Sequence, residues 1–98
     1  MRESELEEKF REMVKQAGGK AYKFVSPGNA GVPDRIVILP EGRICFVELK
    51  KKGETPRKLQ EHRKRELETL GCMTAVVDDE ESVASVIRAI LDRERGKR

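Results

Sequence analysis

Two apolar, β-rich runs joined by a three-residue turn constrain the fold of this chain more than any other feature. The runs Arg35–Leu39 and Arg43–Leu49 flank Pro40-Glu41-Gly42, a pattern typical of a β-hairpin. Because both runs are apolar on both faces, we expect helices to cover the sheet on each side.

The segments around the hairpin predict its neighbours. Residues 3–16 carry apolar side chains at helical spacing, and Gly18-Gly19 ends that helix. Residues 20–25 predict a short strand, and the Gly- and Pro-rich residues 26–33 predict a loop.

The C-terminal half predicts two more helices and one more strand. Thr55 is the predicted N-cap of the second helix, and Pro56 takes its first position. Residues 72–77 predict a strand, and Asp79 caps a final amphipathic helix. The inward side of the second helix is assigned to Leu59, Arg63, Leu67 and Leu70. The order α-β-β-β-α-β-α predicts an α/β fold, with a mixed central β-sheet flanked by helices.

Length and composition limit the class of protein. A chain of 98 residues suits a single domain over 1–98, with a frayed tail at 93–98. Charged residues make up 40%, and no apolar run could span a bilayer. We therefore expect a cytoplasmic protein without membrane contact. Cys45 and Cys72 are predicted to be buried thiols, and two cysteines with one histidine make a zinc site implausible.

A basic stripe follows the hairpin. Residues 50–65 contain eight Lys or Arg against Glu54 and Glu61, a net charge of +6. Such a stripe suits a polyanion such as a phosphate backbone, although a solvated helix face has the same composition.

The hairpin register brings three charges together. If the turn is centred on Glu41, residues whose numbers sum to 82 face one another, so Asp34 lies opposite Glu48. Strand alternation places Lys50 on the same face as Glu48. Two opposed carboxylates suit Mg²⁺, which the backbone carbonyl of Leu49 can also reach. The simpler interpretation is a salt bridge at the end of a strand.

The same residues match a known pattern. Gly31-Val-Pro-Asp34, thirteen further residues and then Glu48-Leu-Lys50 resemble the PD-(D/E)xK nuclease signature. More narrowly, the chain resembles a stand-alone VRR-NUC domain of the phage and bacterial type. The segments that carry this resemblance are 21–28, 31–37, 46–50 and 56–60. The resemblance implies a restriction-endonuclease-like fold, a metal-dependent phosphodiesterase, and the cytoplasm of a bacterial cell or phage-infected host.

The resemblance also implies individual roles. It assigns metal ligation to Asp34 and Glu48, the catalytic lysine to Lys50, and a supporting catalytic role to Gln60. The family also uses a first-helix glutamate, as a catalytic residue and candidate metal ligand. Counting back from Gly18-Gly19 favours Glu7, with Glu3 as the alternative. Glu7 could instead be surface charge paired with Arg11, and Gln60 an exposed amide.

Further residues are assigned to DNA contact, to the core or to solvent. The predicted DNA-binding residues are Lys51, Lys52, Arg57 and Lys58, with Ser26 and Gly28 cradling a phosphate through backbone N–H groups. Tyr22 and Phe24 are predicted core residues, and His62 a DNA contact or an exposed side chain.

These features predict a structure-selective DNA endonuclease that uses Mg²⁺, or Mn²⁺ in its place. The resemblance extends to archaeal Holliday-junction resolvases and implies a homodimer that cuts a four-way junction. Two alternatives remain: a nicking, flap-cleaving or restriction-like enzyme with the same site, or a non-catalytic nucleic-acid-binding module. The acidic residues argue against the module, because they would repel a phosphate backbone.

Overall fold

The computed structural model describes residues 2–93 as a four-stranded sheet with three helices. The elements follow the predicted order α-β-β-β-α-β-α, and they are α1 (Glu3–Gln16), β1 (Lys20–Lys23), β2 (Arg35–Leu39), β3 (Arg43–Leu49), α2 (Lys58–Thr69), β4 (Met73–Val77) and α3 (Glu80–Asp92). The mixed α/β fold predicted from the sequence is confirmed. The predicted frayed tail lies, after Arg93, outside the described residues.

The sheet has the order β1-β2-β3-β4, with β1, β2 and β3 antiparallel and β4 parallel to β3. The hairpin has the predicted register, since Ile36 pairs with Phe46 and Ile38 with Ile44. Its turn spans Pro40–Gly42, and Glu41 and Gly42 both adopt positive φ, 70° and 73°. The central strands are therefore aligned as the turn length requires.

The core lies on one face of the sheet, beneath α1 and α3. On α1 the buried residues recur every four positions, at Leu6, Phe10 and Val14, so they form one stripe. The strands and α3 add Val37, Leu39, Cys45, Val47, Leu49, Val77, Val83 and Ile90. Each large apolar side chain buried in this way contributes roughly 1.5–3 kcal/mol. The core is therefore enclosed between this face of the sheet and the two helices.

Helices flank both faces of the sheet as predicted, but α2 covers the opposite face only in part, so the expectation that both faces of the hairpin are covered is wrong in extent. Helix α2 packs against β4 at one edge of the sheet. Because it leads directly into β4, it does not extend over β1 and β2. Tyr22, Ile38 and Ile44 remain 51%, 36% and 46% exposed, and the prediction of Tyr22 as a core residue is also wrong. Phe24 is half-buried, with its ring 5.5 Å from that of Phe46.

Helix α2 begins later than predicted. Its N-cap is Arg57, not Thr55, and its first residue is Lys58 rather than Pro56. The Gln60 side chain explains this start, because its Oε1 accepts a hydrogen bond of 2.9 Å from the Arg57 N–H. The predicted inward side is only partly right: Arg63 and Leu67 are half-buried, Leu59 and Leu70 are 45% and 80% exposed, and none of the residues of α2, all of which are described, is fully buried.

Further predictions concern the cap of α3 and the two cysteines. The Asp79 Oδ1 accepts the Ser82 N–H at 2.8 Å, so the predicted cap of α3 is confirmed. Cys45 is buried as expected, whereas Cys72, just before β4, is only half-buried. Within residues 2–93, no helix combines the length and apolar character that a membrane span requires.

Candidate active site

Asp34 and Glu48 lie at the open end of the hairpin. Asp34 directly precedes β2, and its carbonyl accepts the Phe24 N–H at 2.9 Å. Its Oδ1 accepts the Leu49 N–H at 3.1 Å. One further step of the β2–β3 register places Asp34 opposite Glu48. The structure therefore brings together the two carboxylates that the sequence pairs.

Two side chains contact the Glu48 carboxylate. The Gln60 Nε2 donates to the Glu48 Oε2 at 3.1 Å, and the Lys50 Nζ lies 4.0 Å from the same oxygen. The side chains of Lys50 and Glu48 are only 11% and 12% exposed. Because Gln60 also caps α2, both ends of its amide have partners. The alternative of a plain exposed amide for Gln60 is wrong.

Burial makes both carboxylates costly to ionise. Desolvation raises the pKa of Glu48, and the charge of Asp34 raises it further, while Lys50 opposes both effects. Desolvation also raises the pKa of Asp34, against the Leu49 hydrogen bond and the charge of Arg35. A bound cation would stabilise the ionised forms of both groups.

Glu7 approaches Asp34 from the other side of the sheet. Its Oε2 accepts a hydrogen bond from the Arg35 Nη2, so its ion pair is with Arg35 and not with Arg11. The Arg35 Nη1 donates to the Asp34 carbonyl oxygen at 2.9 Å and lies 3.3 Å from the Asp34 Oδ2. Glu3, the alternative to Glu7, lines the same crevice.

The donor set suits a hard divalent cation. Asp34 and Glu48 offer carboxylate oxygens, and Mg²⁺ prefers oxygen ligands while keeping several waters. In the part of the chain that the structure describes, no three His, Cys, Asp or Glu side chains are grouped to hold one metal ion. The carboxylates of Glu7, Asp34 and Glu48 are not grouped in this way here, and the ligand role of Glu7 stays a prediction. Two carboxylates with the Leu49 carbonyl fit an ion that remains largely hydrated.

The predicted DNA-binding residues differ in their surroundings. Lys51, Arg57 and Lys58 are exposed, and Arg57 lies close enough to Glu48 to oppose the rise of its pKa. Lys52 instead makes a short ion pair with Asp79.

The loop before β2 contains the other two predicted DNA contacts. Ser26 is half-buried, and its Oγ accepts a hydrogen bond of 3.0 Å from the Asn29 side chain. Gly28 is exposed, with φ +83°. On α2, His62 is exposed, and its Nε2 lies 3.5 Å from the Glu66 Oε2.

Two functional candidates were missed in the sequence. Arg35 contacts both Glu7 and Asp34, and Lys64 lines a narrow crevice with Glu48 and Gln60. Lys64 follows Gln60 by one helical turn, which is a usable signal. Arg35 shows only as a charge at the start of an apolar strand, and its partner on α1 is 28 residues away.

Comparisons with known proteins were made for the whole chain. No protein-family model matches it. A protein of Acyrthosiphon pisum secondary endosymbiont phage 1, described as "Putative nuclease p44", is 46% identical over 92 residues, covering 92% of this chain and 96% of that protein. A solved structure described as "VRR_NUC domain" superposes with a TM-score of 0.81 and 30% identity, covering 88% and 94% of the two chains. A second, described as "VRR_NUC domain protein", has a TM-score of 0.72 at 18% identity, over 93% and 88%, and shows the shared fold.

Proposed function

Because this chain belongs to the VRR-NUC family of nucleases, we propose that it is a Mg²⁺-dependent DNA endonuclease with Asp34, Glu48 and Lys50 at its active site. One observation carries this proposal: the hairpin ends in two opposed carboxylates beside a nearly buried lysine. Placing two carboxylates together at this position does not favour the stability of the fold. The same carboxylates, with the lysine beside them, are useful for phosphoryl chemistry.

Each residue has a separate task in this proposal. Asp34, Glu48 and the Leu49 carbonyl would hold the metal ion, and Mn²⁺ would substitute for Mg²⁺. When bound, the ion acidifies a water molecule and polarises a phosphoryl oxygen. Lys50 supplies positive charge where the transition state gains negative charge. Gln60 fixes the orientation of the Glu48 carboxylate through its Nε2.

Cleavage by the Asp34→Ala variant tests this site. We expect at least about a hundredfold loss of cleavage of labelled DNA in Mg²⁺ and in Mn²⁺, because a metal ligand and its charge are removed. Glu12→Ala, which removes an exposed carboxylate on α1, serves as the matched control and should retain wild-type rates. Cleavage that survives Asp34→Ala would refute the site. If both proteins bind DNA and neither cuts it, the binding-module alternative is correct.

The homodimer is supported by an exposed apolar patch formed by Tyr22, Ile38 and Ile44. Ile38 pairs with Ile44, and Tyr22 lies on the neighbouring strand. Strand alternation places the patch on the same face as Glu48. A two-fold axis would place this patch against the same patch of another copy, so we propose a second copy of this chain as its partner. A dimer of this kind would place two active sites on one molecule.

Molar mass and substrate choice are measured together. We expect light scattering to give a dimer for the wild type and a monomer for Ile44→Glu. The dimer should cut a four-way junction faster than matched linear duplex, nicked or flap DNA. A monomeric wild type would exclude the dimer. Equal rates on junction and linear DNA would favour the nicking or restriction-like alternatives.

A further inference from the structure

Arg35 is a charged side chain in a nearly buried position. It starts β2 on the face covered by α1, and its side chain is only 12% exposed. Burying a guanidinium is unfavourable unless its hydrogen bonds are satisfied. Its Nε is buried and has no hydrogen-bond partner within residues 2–93. Arg35 is therefore nearly buried although one of its hydrogen-bond donors, the Nε, is unsatisfied by the described residues.

The contacts that Arg35 does make lie between two acidic side chains. It donates to Glu7 through Nη2, and its Nη1 lies 3.3 Å from the Asp34 Oδ2. The guanidinium thus occupies the space between these two carboxylates, which share the crevice with Glu3. With Arg35 removed, two acidic groups would face each other across that space.

The sheet separates Glu7 from Glu48. Glu7 lies on α1, which covers the core face, whereas Glu48 is bound by Gln60 from α2 on the opposite face. Asp34 lies at the end of the strands, near both Glu7 and Glu48. Two cation positions are therefore conceivable, one between Asp34 and Glu48 and one between Asp34 and Glu7. Arg35 fills the second.

We propose that Arg35 is a positioning residue that takes the place of a second divalent cation between Glu7 and Asp34, so that the site holds a single ion. Glu7 then acts through Arg35, by orienting its guanidinium against Asp34, and does not ligate the ion. This inference rests on the proposed metal site between Asp34 and Glu48. It gives Glu7 a role different from the ligand role that the family resemblance implies.

Counting bound Mn²⁺ tests the inference without DNA or activity. Electron paramagnetic resonance and calorimetric titrations should give a single Mn²⁺ for the wild type. Arg35→Met should bind a second Mn²⁺, because Glu7 and Asp34 are released as ligands. Arg35→Lys keeps a cation in place and should again bind a single ion. The double variant Arg35→Met/Glu7→Gln should lose the second ion.

Two further variants keep the test decisive if Arg35→Met fails to fold by circular dichroism. Glu7→Gln should still bind a single Mn²⁺, whereas Asp34→Asn should bind none over the same range of Mn²⁺ concentration. Two ions on the wild type, or loss of the ion in Glu7→Gln, would overturn the role of Arg35. A folded Arg35→Met that binds only a single ion would also overturn it. Absence of Mn²⁺ binding to the wild type would instead refute the proposed function, so the two failures are distinct.

Discussion

Glu48 is the residue at which most contacts of the site converge. Lys50, Gln60 and Asp34 all act on its carboxylate, and the surrounding protein excludes most of the solvent. The energetic result is a carboxylate that resists ionisation in the metal-free protein. Its contribution to stability should therefore depend on pH and on divalent cations.

We expect Glu48→Gln to raise the melting temperature of the metal-free protein at pH 7. Because the folded protein raises the pKa of Glu48, its stabilising contribution is complete below the ordinary glutamate value of about 4.3. It is lost as the pH rises through the raised folded-state pKa. Glutamine carries no charge to desolvate and avoids this loss. Thermal melts in EDTA should show a gain of a few degrees, since about 1 kcal/mol corresponds to roughly 4–8 °C in a domain of this size.

The same melts contain their own control. At pH 4 the difference between Glu48→Gln and wild type should shrink, because the wild-type carboxyl is then largely protonated. Millimolar Mg²⁺ at pH 7 should stabilise the wild type more than the variant, because the proposed metal site exists only in the folded protein. A variant no more stable than wild type at pH 7 in EDTA would show that desolvation does not dominate at Glu48.

Helix α2 connects the basic stripe to the site through its first turn. Gln60 accepts the Arg57 N–H with its oxygen and donates to Glu48 with its nitrogen. The start of the helix and the orientation of the Glu48 carboxylate therefore depend on one side chain. This dual role explains why the helix starts at Lys58 and not at Pro56, the first helical residue that the sequence predicts.

Substitution of Gln60 should separate these two tasks. Gln60→Ala removes both hydrogen bonds, and we expect a loss of about 1 kcal/mol, typical of a lost cap, together with slower cleavage. Gln60→Glu keeps an oxygen for the Arg57 N–H and places a negative charge against Glu48. It should keep the stabilising effect of the cap, lose some stability through repulsion from Glu48, and lose cleavage. Urea unfolding and DNA cleavage measure the two effects, and equal cleavage by Gln60→Glu and wild type would contradict the assignment.

The loop before β2 fits tightly against α2 at Gly31. Its φ is +91°, and a Cβ there would lie 2.8 Å from the Leu59 Cγ. Gly28, in the same loop, has φ +83° and no atom within 4 Å of a Cβ position. The two glycines share the backbone conformation and differ in the contact.

This difference makes Gly28→Ala a matched control for Gly31→Ala. Each substitution should cost about 1 kcal/mol for the left-handed backbone. Gly31→Ala should cost roughly 1–3 kcal/mol more, because it forces Leu59 away. It should also slow cleavage by displacing Gln60. Equal unfolding midpoints in urea for the two variants would show that the loop does not depend on this fit.

On the scale of the whole molecule, the positive charge that is available to a partner depends on ion pairs as well as on composition. The stripe at residues 50–65 is strongly basic, yet Lys52 pairs with Asp79 and lies 4.0 Å from Asp78. The Asp79 hydrogen bond raises the pKa of Lys52, and the same contact lowers the pKa of Asp79 to about 2. Lys51 and Lys58 are exposed on the same stripe.

The salt dependence of DNA binding should distinguish these lysines. We expect Lys51→Gln to reduce the slope of log K against log salt by about 1, the effect of losing a phosphate contact. Lys52→Gln should change it little, because its charge is already neutralised by Asp79. Fluorescence anisotropy in an Asp34→Ala background measures binding without cleavage. An equal change for both lysines would place Lys52 on the DNA.

The sequence by itself determined the order of the elements, the hairpin register and the meeting of Asp34 with Glu48. These depend on short-range rules: strand period, turn length and the spacing of apolar residues. The family signature lies on the same few segments, so the candidate site was visible before its geometry.

Only the tertiary structure decided which groups approach the site from distant parts of the chain. Arg35 pairs with Glu7 because α1 covers the core face, and Lys64 borders Glu48 because α2 packs over β4. The same packing leaves Tyr22, Ile38 and Ile44 exposed, although their apolar character alone favours burial. Local patterns specify what each element can bury, whereas the length and position of the connecting helix determine what is actually covered.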